Sequence, residues 1–242
     1  MDSFKMNRLL SPTLLLGLVA LALGLPMAFS QQDDGKGRRL VESPACHCQG
    51  LTLDFEREVQ NQPPREFVFS PSFETERHEW RVESDRGNQV LVRKLVESDD
   101  RHVSLAIVDK PEALAVSLSI RIKSIDGKED KNGGLVWRYA DPKNYLLARL
   151  DISDKRVRLY RVVNGNRIKF GEETDLRLSV DTWYTLRVEH RRDKIKVYLD
   201  NEAIIIEKET HFHKAGRVGL YANEDAQTSF DDFEVRAMGE DK

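Results

Sequence analysis

Gly133-Gly134-Leu135-Val136-Trp137-Arg138-Tyr139-Ala140-Asp141-Pro142-Lys143-Asn144-Tyr145-Leu146-Leu147-Ala148-Arg149-Leu150-Asp151-Ile152, continued by the run from Lys155 to Gly165, reads as three antiparallel strands joined by two short turns. Asp141-Pro142-Lys143-Asn144 has turn chemistry, because Pro142 presets the φ that the second turn position needs. Ser153-Asp154 opens the second turn. Leu146, Ala148, Leu150 and Ile152 recur at period 2, the mark of a strand with one buried face. Trp137, Tyr139, Tyr145, Arg138 and Arg149 on the same strands are more than a core requires, and they point to a surface that meets a ligand.

The pattern extends along the chain. Leu51-Thr52-Leu53-Asp54-Phe55 alternates, as do Val116, Leu118, Ile120 and Ile122; Ile195, Val197 and Leu199; and Val218, Leu220 and Ala222. Further strands are expected over His78–Glu83, Gln89–Val96, His102–Val108, Leu176–Val180, Trp183–His190, Ala203–Glu207 and Thr228–Arg236. Asn164-Gly165 is the strongest short hairpin signal, and Asp200-Asn201 punctuates the next pair of strands. Pro63, Pro64 and Pro71 are expected to keep residues 60 to 73 irregular. No amphipathic helix and no fixed-period repeat is evident. Many short strands without helices imply an all-β sandwich or jelly roll of two antiparallel sheets.

The first thirty residues have the layout of a secretory signal peptide. Lys5 and Arg8 precede an apolar run, Pro26 breaks it, and Ala28-Phe29-Ser30 offers small residues for cleavage after Ser30. The run from Leu14 to Phe29 is short of the roughly 20 residues a spanning helix needs. The expectation is therefore a secreted or periplasmic protein with no membrane association beyond that peptide. Residues 31–50 are polar and aperiodic and read as a linker, 51–237 as one β domain, and 238–242 as a short tail. The formal net charge is −3, and loss of Asp2, Lys5 and Arg8 makes it one unit more acidic, so general nucleic-acid binding has no electrostatic support. Cys46 and Cys48 are too close to staple a fold.

Gly133-Gly134-Leu135-Val136-Trp137-Arg138-Tyr139, Asn144-Tyr145 and Leu159-Tyr160-Arg161-Val162-Val163-Asn164-Gly165 resemble the concanavalin A-like (laminin-G-like) jelly rolls of secreted bacterial proteins. Trp183-Tyr184-Thr185-Leu186-Arg187-Val188-Glu189, Lys196-Val197-Tyr198-Leu199-Asp200, Ala215-Gly216-Arg217-Val218-Gly219-Leu220-Tyr221 and Ser229-Phe230-Asp231-Asp232-Phe233 are similar to later strands of that group, with Asn201 where Gly is usual. The resemblance covers roughly residues 51 to 237 and is specific for fold. It implies a saccharide-related role, since the superfamily holds lectins, carbohydrate-binding modules, adhesion domains, family 16 glycoside hydrolases and a 3-keto-disaccharide hydrolase-like branch.

Sugar rings stack on aromatics and their hydroxyls pair with Arg and Asn, so Trp137, Arg138, Asn144, Tyr145 and Arg149 are the candidate ligand-binding residues. Strict alternation would put Trp137 and Tyr139 on one side and Arg138 on the other, and would leave Tyr145 and Arg149 at the surface opposite Leu146 and Ala148. The same residues also fit a core tryptophan with solvated arginines. The Glu-x-Asp-x-x-Glu pattern of family 16 retaining enzymes is missing: Glu83-Ser84-Asp85 is followed by Asn88, and Glu97-Ser98-Asp99 by His102. No catalytic residue is assigned. The resemblance implies a structural calcium, for which Asp54, Asp231 and Asp232 are the candidates, although calcium needs six to eight oxygens. Cys46-His47-Cys48 lacks a second ligand pair for zinc or copper, and His211-Phe212-His213 reads as a solvated loop.

The expectation is a non-catalytic module for a polysaccharide or other glycan, with no required cofactor. Two alternatives stay open: a glycoside hydrolase of the 3-keto-disaccharide hydrolase-like kind, and a protein-binding adhesion or structural domain.

Overall fold

The computed structural model describes residues 30–33, 38–42, 49–71, 80–94, 103–127, 131–223 and 226–239. Its strands are β1 (Ser30–Asp33), β2 (Arg38–Glu42), β3 (Gln49–Leu53), β4 (Phe67–Pro71), β5 (Trp80–Asp85), β6 (Asn88–Arg93), β7 (Val103–Ala113), β8 (Val116–Gly127) and β9 (Asn132–Asp141). They continue as β10 (Asn144–Asp151), β11 (Arg156–Val163), β12 (Asn166–Glu173), β13 (Tyr184–Arg191), β14 (Lys194–Leu199), β15 (Glu202–Lys208), β16 (Gly216–Asn223) and β17 (Ala226–Ala237). A seven-stranded sheet has the order β12-β11-β10-β9-β16-β7-β4. A ten-stranded sheet runs β1-β2-β3-β17-β8-β13-β14-β15, with β6 also paired to β17 and β5 to β6. All the strand pairs are antiparallel, and the two sheets form a jelly-roll sandwich. Among the described residues, no helix is long and apolar enough to cross a membrane.

The inward faces follow period 2. Leu146, Ala148 and Leu150 of β10, Val116, Leu118 and Ile120 of β8, and Leu220 and Ala222 of β16 all lie in one core between the sheets. The turns follow their residues too. Asn164 (φ 51°) and Gly165 (φ 82°) are both left-handed, as a two-residue type I′ hairpin requires, and Asp200 and Asn201 (φ 47° and 70°) repeat the device.

Several strand expectations change. Leu176–Val180 is not a strand: Leu176 N donates to Lys155 O at 3.0 Å and Ser179 N to the Tyr184 hydroxyl at 2.8 Å, so its backbone groups are used outside a ladder. Phe67–Pro71, expected to be irregular, is β4; it lies at the edge of its sheet, where proline is tolerated. β12 lacks apolar alternation because it is the opposite edge and is mostly solvated. The segment 31–50, expected to be a linker, contributes most of β1, all of β2 and the start of β3, which pair in that order. The expected signal peptide, except for Ser30, and the Cys46-His47-Cys48 segment lie outside the described residues.

One residue breaks the alternation. Arg138 has φ 48°, and the β9–β10 and β9–β16 registers both shift beside it. Trp137 therefore points into the core, while Tyr139 joins a second apolar cluster with Leu105, Ile107, Val136, Tyr145, Leu147, Val162 and Tyr221. The expectation that Trp137 and Tyr139 share a side is corrected: the bulge adds one residue and flips the strand beyond it.

Candidate ligand-binding site

The second cluster lies on the outer face of the seven-stranded sheet. Leu147 of β10, Tyr160 of β11, Val136 of β9 and Tyr221 of β16 each alternate with residues of the main core, so they stand on its far side. Tyr139 and Tyr145 lie ring to ring at 6.1 Å. Arginines cover these rings. Arg167 of β12 lies over Tyr160 at 5.5 Å and over Tyr221 at 5.7 Å, thus leaning across three intervening strands. Arg217 lies over Tyr139 at 5.1 Å. Burial, and then the neighbouring Tyr221 hydroxyl, pushes the Tyr145 phenol well above its ordinary range despite Arg167. It stays a neutral hydrogen-bonding group.

Beside the rings is a charged cluster. Arg149 Nη2 pairs with the fully buried Asp151 at 2.7 Å, and Arg158 reaches Asp151 at 3.6 Å, Asp154 at 2.9 Å and Glu172 at 2.8 Å. Hydrogen bonds from Lys169 and Arg158 hold the Glu172 carboxyl down to about 2.

The outer face of the other sheet is different in kind. Ser117, Ser119, Arg187, Glu189, Lys196 and Tyr198 face one another across β8, β13 and β14. Arg187 pairs with Glu189 and lies over the Tyr198 ring at 3.6 Å, and Tyr198 donates to Glu189 at 3.0 Å. That face is a solvated ion-pair surface with no second apolar cluster among the described residues.

The five candidate residues separate. Trp137 is fully buried, and its indole N–H donates to His190 Nδ1 at 2.9 Å across the sandwich. Burial, and next the Arg138 guanidinium, lowers His190 to about 3, against weaker opposing effects of the Arg192 backbone and Asp193. The imidazole is therefore neutral, with its proton on Nε2. Arg138, also buried, donates to Phe212 O, to Leu114 O at 3.0 Å and to Arg192 O at 3.4 Å. It pins three loops to one guanidinium, and burial lowers its pKa. Asn144 donates to Asp141 at 3.0 Å and accepts from Asn164 N at 3.1 Å, so it ties two turns together. Tyr145 and Arg149 do lie opposite the Leu146 set, but they are 3% and 6% exposed rather than open to solvent. The two are brought onto one face; Trp137 and Arg138 are not on it. Tyr160, Tyr221, Arg158, Arg167 and Arg217 complete that face. Their signal was the alternation of Tyr160 with Leu159 and of Tyr221 with Leu220 and Ala222.

Asp231 is buried; it accepts from Asn88 Nδ2 at 2.9 Å and meets Arg121 at 3.4 Å. Arg121 also meets Asp232 at 3.2 Å. Burial, and then the Asp232 charge, raises the Asp231 carboxyl to about 6. Asp54 accepts from Glu56 N at 3.3 Å and follows β3, whose Leu53 pairs with Phe233. No group of three or more His, Cys, Asp or Glu that could hold a metal is present among the described residues. Asp231 and Asp232 share the single Arg121 guanidinium, and a cation already held between them does not fit a dication in the same place.

No protein-family model matches the chain, and no curated protein sequence matches it. Solved structures share its architecture. The carbohydrate-binding module CBM66 from Bacillus subtilis is 22% identical with a TM-score of 0.55, over 70% of this chain and 96% of that one. The lumenal domain of VIP36, in a calcium- and mannose-bound form, is 11% identical with a TM-score of 0.52, over 73% of this chain and 85% of that one. A native glycosidic hydrolase is 10% identical with a TM-score of 0.51, over 78% and 95%. At these identities the likeness is one of fold: two antiparallel sheets in a jelly-roll sandwich, an architecture seen both in carbohydrate-binding modules and in a glycosidic hydrolase.

Proposed function

We propose that the chain is an exported, non-catalytic glycan-binding module whose ligand lies along the outer face of the seven-stranded sheet. The observation that carries this reading is the asymmetry of the two outer faces. One is a polar, ion-paired surface. The other holds a second apolar cluster rich in tyrosines, edged by arginines, that the sandwich core does not need. A saccharide suits such a face, because its ring faces are apolar while its hydroxyls pair with guanidinium and phenol groups. The carbohydrate-binding module and the mannose-bound neighbour support the ligand class by analogy of fold.

The test is a glycan array and polysaccharide pull-down with the full chain, with the supernatant assayed for released sugar. The double variant Tyr160→Ala with Arg167→Ala removes a partly exposed ring and its covering guanidinium without opening the main core. Retention without release, lost in that variant while its circular dichroism is unchanged, is the expected result. Retention equal to wild type would move the site elsewhere, and sugar release would make the chain an enzyme.

A further inference from the structure

Two arginines on the aromatic face lack a close carboxylate among the described residues. Arg149, Arg156, Arg158 and Lys169 share three carboxylates, Asp151, Asp154 and Glu172. Arg217 has only Asp109, at 3.9 Å, and Asp109 is three-quarters exposed. Arg167 has no carboxylate partner within ion-pair distance among the described residues; its contacts there are the two tyrosine rings. Among the described residues, Arg167 thus has no carboxylate and Arg217 only a loose one, on a chain whose formal net charge is −3. On the other sheet, by contrast, Arg187 is matched by Glu189, Arg236 by Glu234 and Lys123 by Asp85.

The form of the Arg167 and Arg217 contacts is informative. A guanidinium over a ring keeps its N–H donors at its rim, and that planar fork matches a carboxylate in two parallel hydrogen bonds. Arg167 and Arg217 rest on the ring group from two sides, on Tyr160 and Tyr221 and on Tyr139 respectively. A neutral sugar would leave Arg167 without a carboxylate and Arg217 with Asp109 alone, at 3.9 Å.

We infer that the glycan is acidic: a uronate-containing polysaccharide whose ring carboxylates pair with Arg167 and Arg217 over the tyrosine floor. This rests on the glycan-binding reading above and narrows it to one class of sugar.

Affinity electrophoresis of the full chain in gels carrying polygalacturonate, alginate or hyaluronan tests it, each beside its carboxyl-reduced neutral counterpart and with dextran sulfate as a sulfated comparator. Retardation on at least one polyuronate, about ten-fold stronger than on its reduced form, is expected. It should fade as sodium chloride rises from about 50 to about 500 mM. Arg167→Ala with Arg217→Ala should bring the polyuronate down to the level of the reduced polymer while thermal unfolding stays put. Equal retardation by a polyuronate and its reduced form would overturn the charge inference and leave the glycan reading standing. So would retardation by dextran sulfate alone. Retardation by none of these, together with an empty neutral-glycan array, would overturn both.

Discussion

The bond between Trp137 and His190 makes the fold sensitive to acid in a way that can be isolated. His190 is fully buried and neutral, with its pKa lowered from 6.5 to about 3. A folded-state value below the unfolded one means that the unfolded chain binds the extra proton, so stability is complete above about pH 6.5 and drains as the pH falls toward 3. At pH 4.5 the unfolded imidazole is charged and the folded one is not, which costs about 2.7 kcal/mol, at 1.36 kcal/mol per pH unit across two units. At pH 7.5 the same term is close to zero. His190→Asn keeps an oxygen to accept the Trp137 N–H but cannot titrate. Its intrinsic cost, from lost ring packing, is the same at both pH values. Urea unfolding of wild type and variant at pH 7.5 and pH 4.5 gives four free energies, and their double difference cancels the carboxylates common to both chains. The gap between the proteins should narrow by about 2.7 kcal/mol on going to pH 4.5. A gap that does not change with pH would refute the claim that a neutral, buried His190 accepts from Trp137.

Two further outcomes follow from groups elsewhere. Asp231 has the opposite sign: its carboxyl is raised from 3.8 to about 6, so the folded state loses stability as the pH rises through that range. Asp231→Asn should be more stable than wild type by about 1–2 kcal/mol at pH 7.5 and no more stable at pH 3.5, read by chemical denaturation. Gly219→Ala should destabilise by about 3 kcal/mol or more in thermal melts. The added Cβ would stand 2.2 Å from Ala106 O and 2.8 Å from Ile107 Cα, which are backbone atoms of the neighbouring strand and cannot rotate away.

Much of this architecture was written at period 2. The inward sets on β8, β10, β14 and β16 and the Asn164-Gly165 turn were readable because burial and positive φ leave direct marks on residue type. What escaped reading has physical causes. The β12 edge strand needs no apolar alternation, since solvent rather than a core receives its side chains. At Arg138 one left-handed residue, of a type that seldom adopts that conformation, reversed the facing of Trp137 and Tyr139. The candidate site was half visible. Period 2 puts Tyr145 and Arg149 opposite the Leu146 set, but the packing of Tyr145 comes from other strands, through Tyr139 and Tyr221, which no local pattern can announce. Arg138 looked like a ligand contact because a buried arginine that caps loops and an exposed one that grips a ligand are spelled the same way.

The Arg138 anchor also sets where this chain can be lengthened. One guanidinium holds the carbonyls of Leu114, Arg192 and Phe212, which belong to three different connections. Extra residues in any of the three would draw a carbonyl off the shared donor and disturb the other two, so grafted peptides should be poorly accepted there. The Arg86-Gly87 tip is tied only through its flanks, Asp85 to Lys123 at 2.6 Å and Asn88 to Asp231 at 2.9 Å, while a Cβ on Gly87 would meet nothing within 4 Å and the Arg86–Asp181 pair is exposed. An epitope or fluorophore-bearing loop belongs between Arg86 and Gly87, where it can leave both flanking anchors in place.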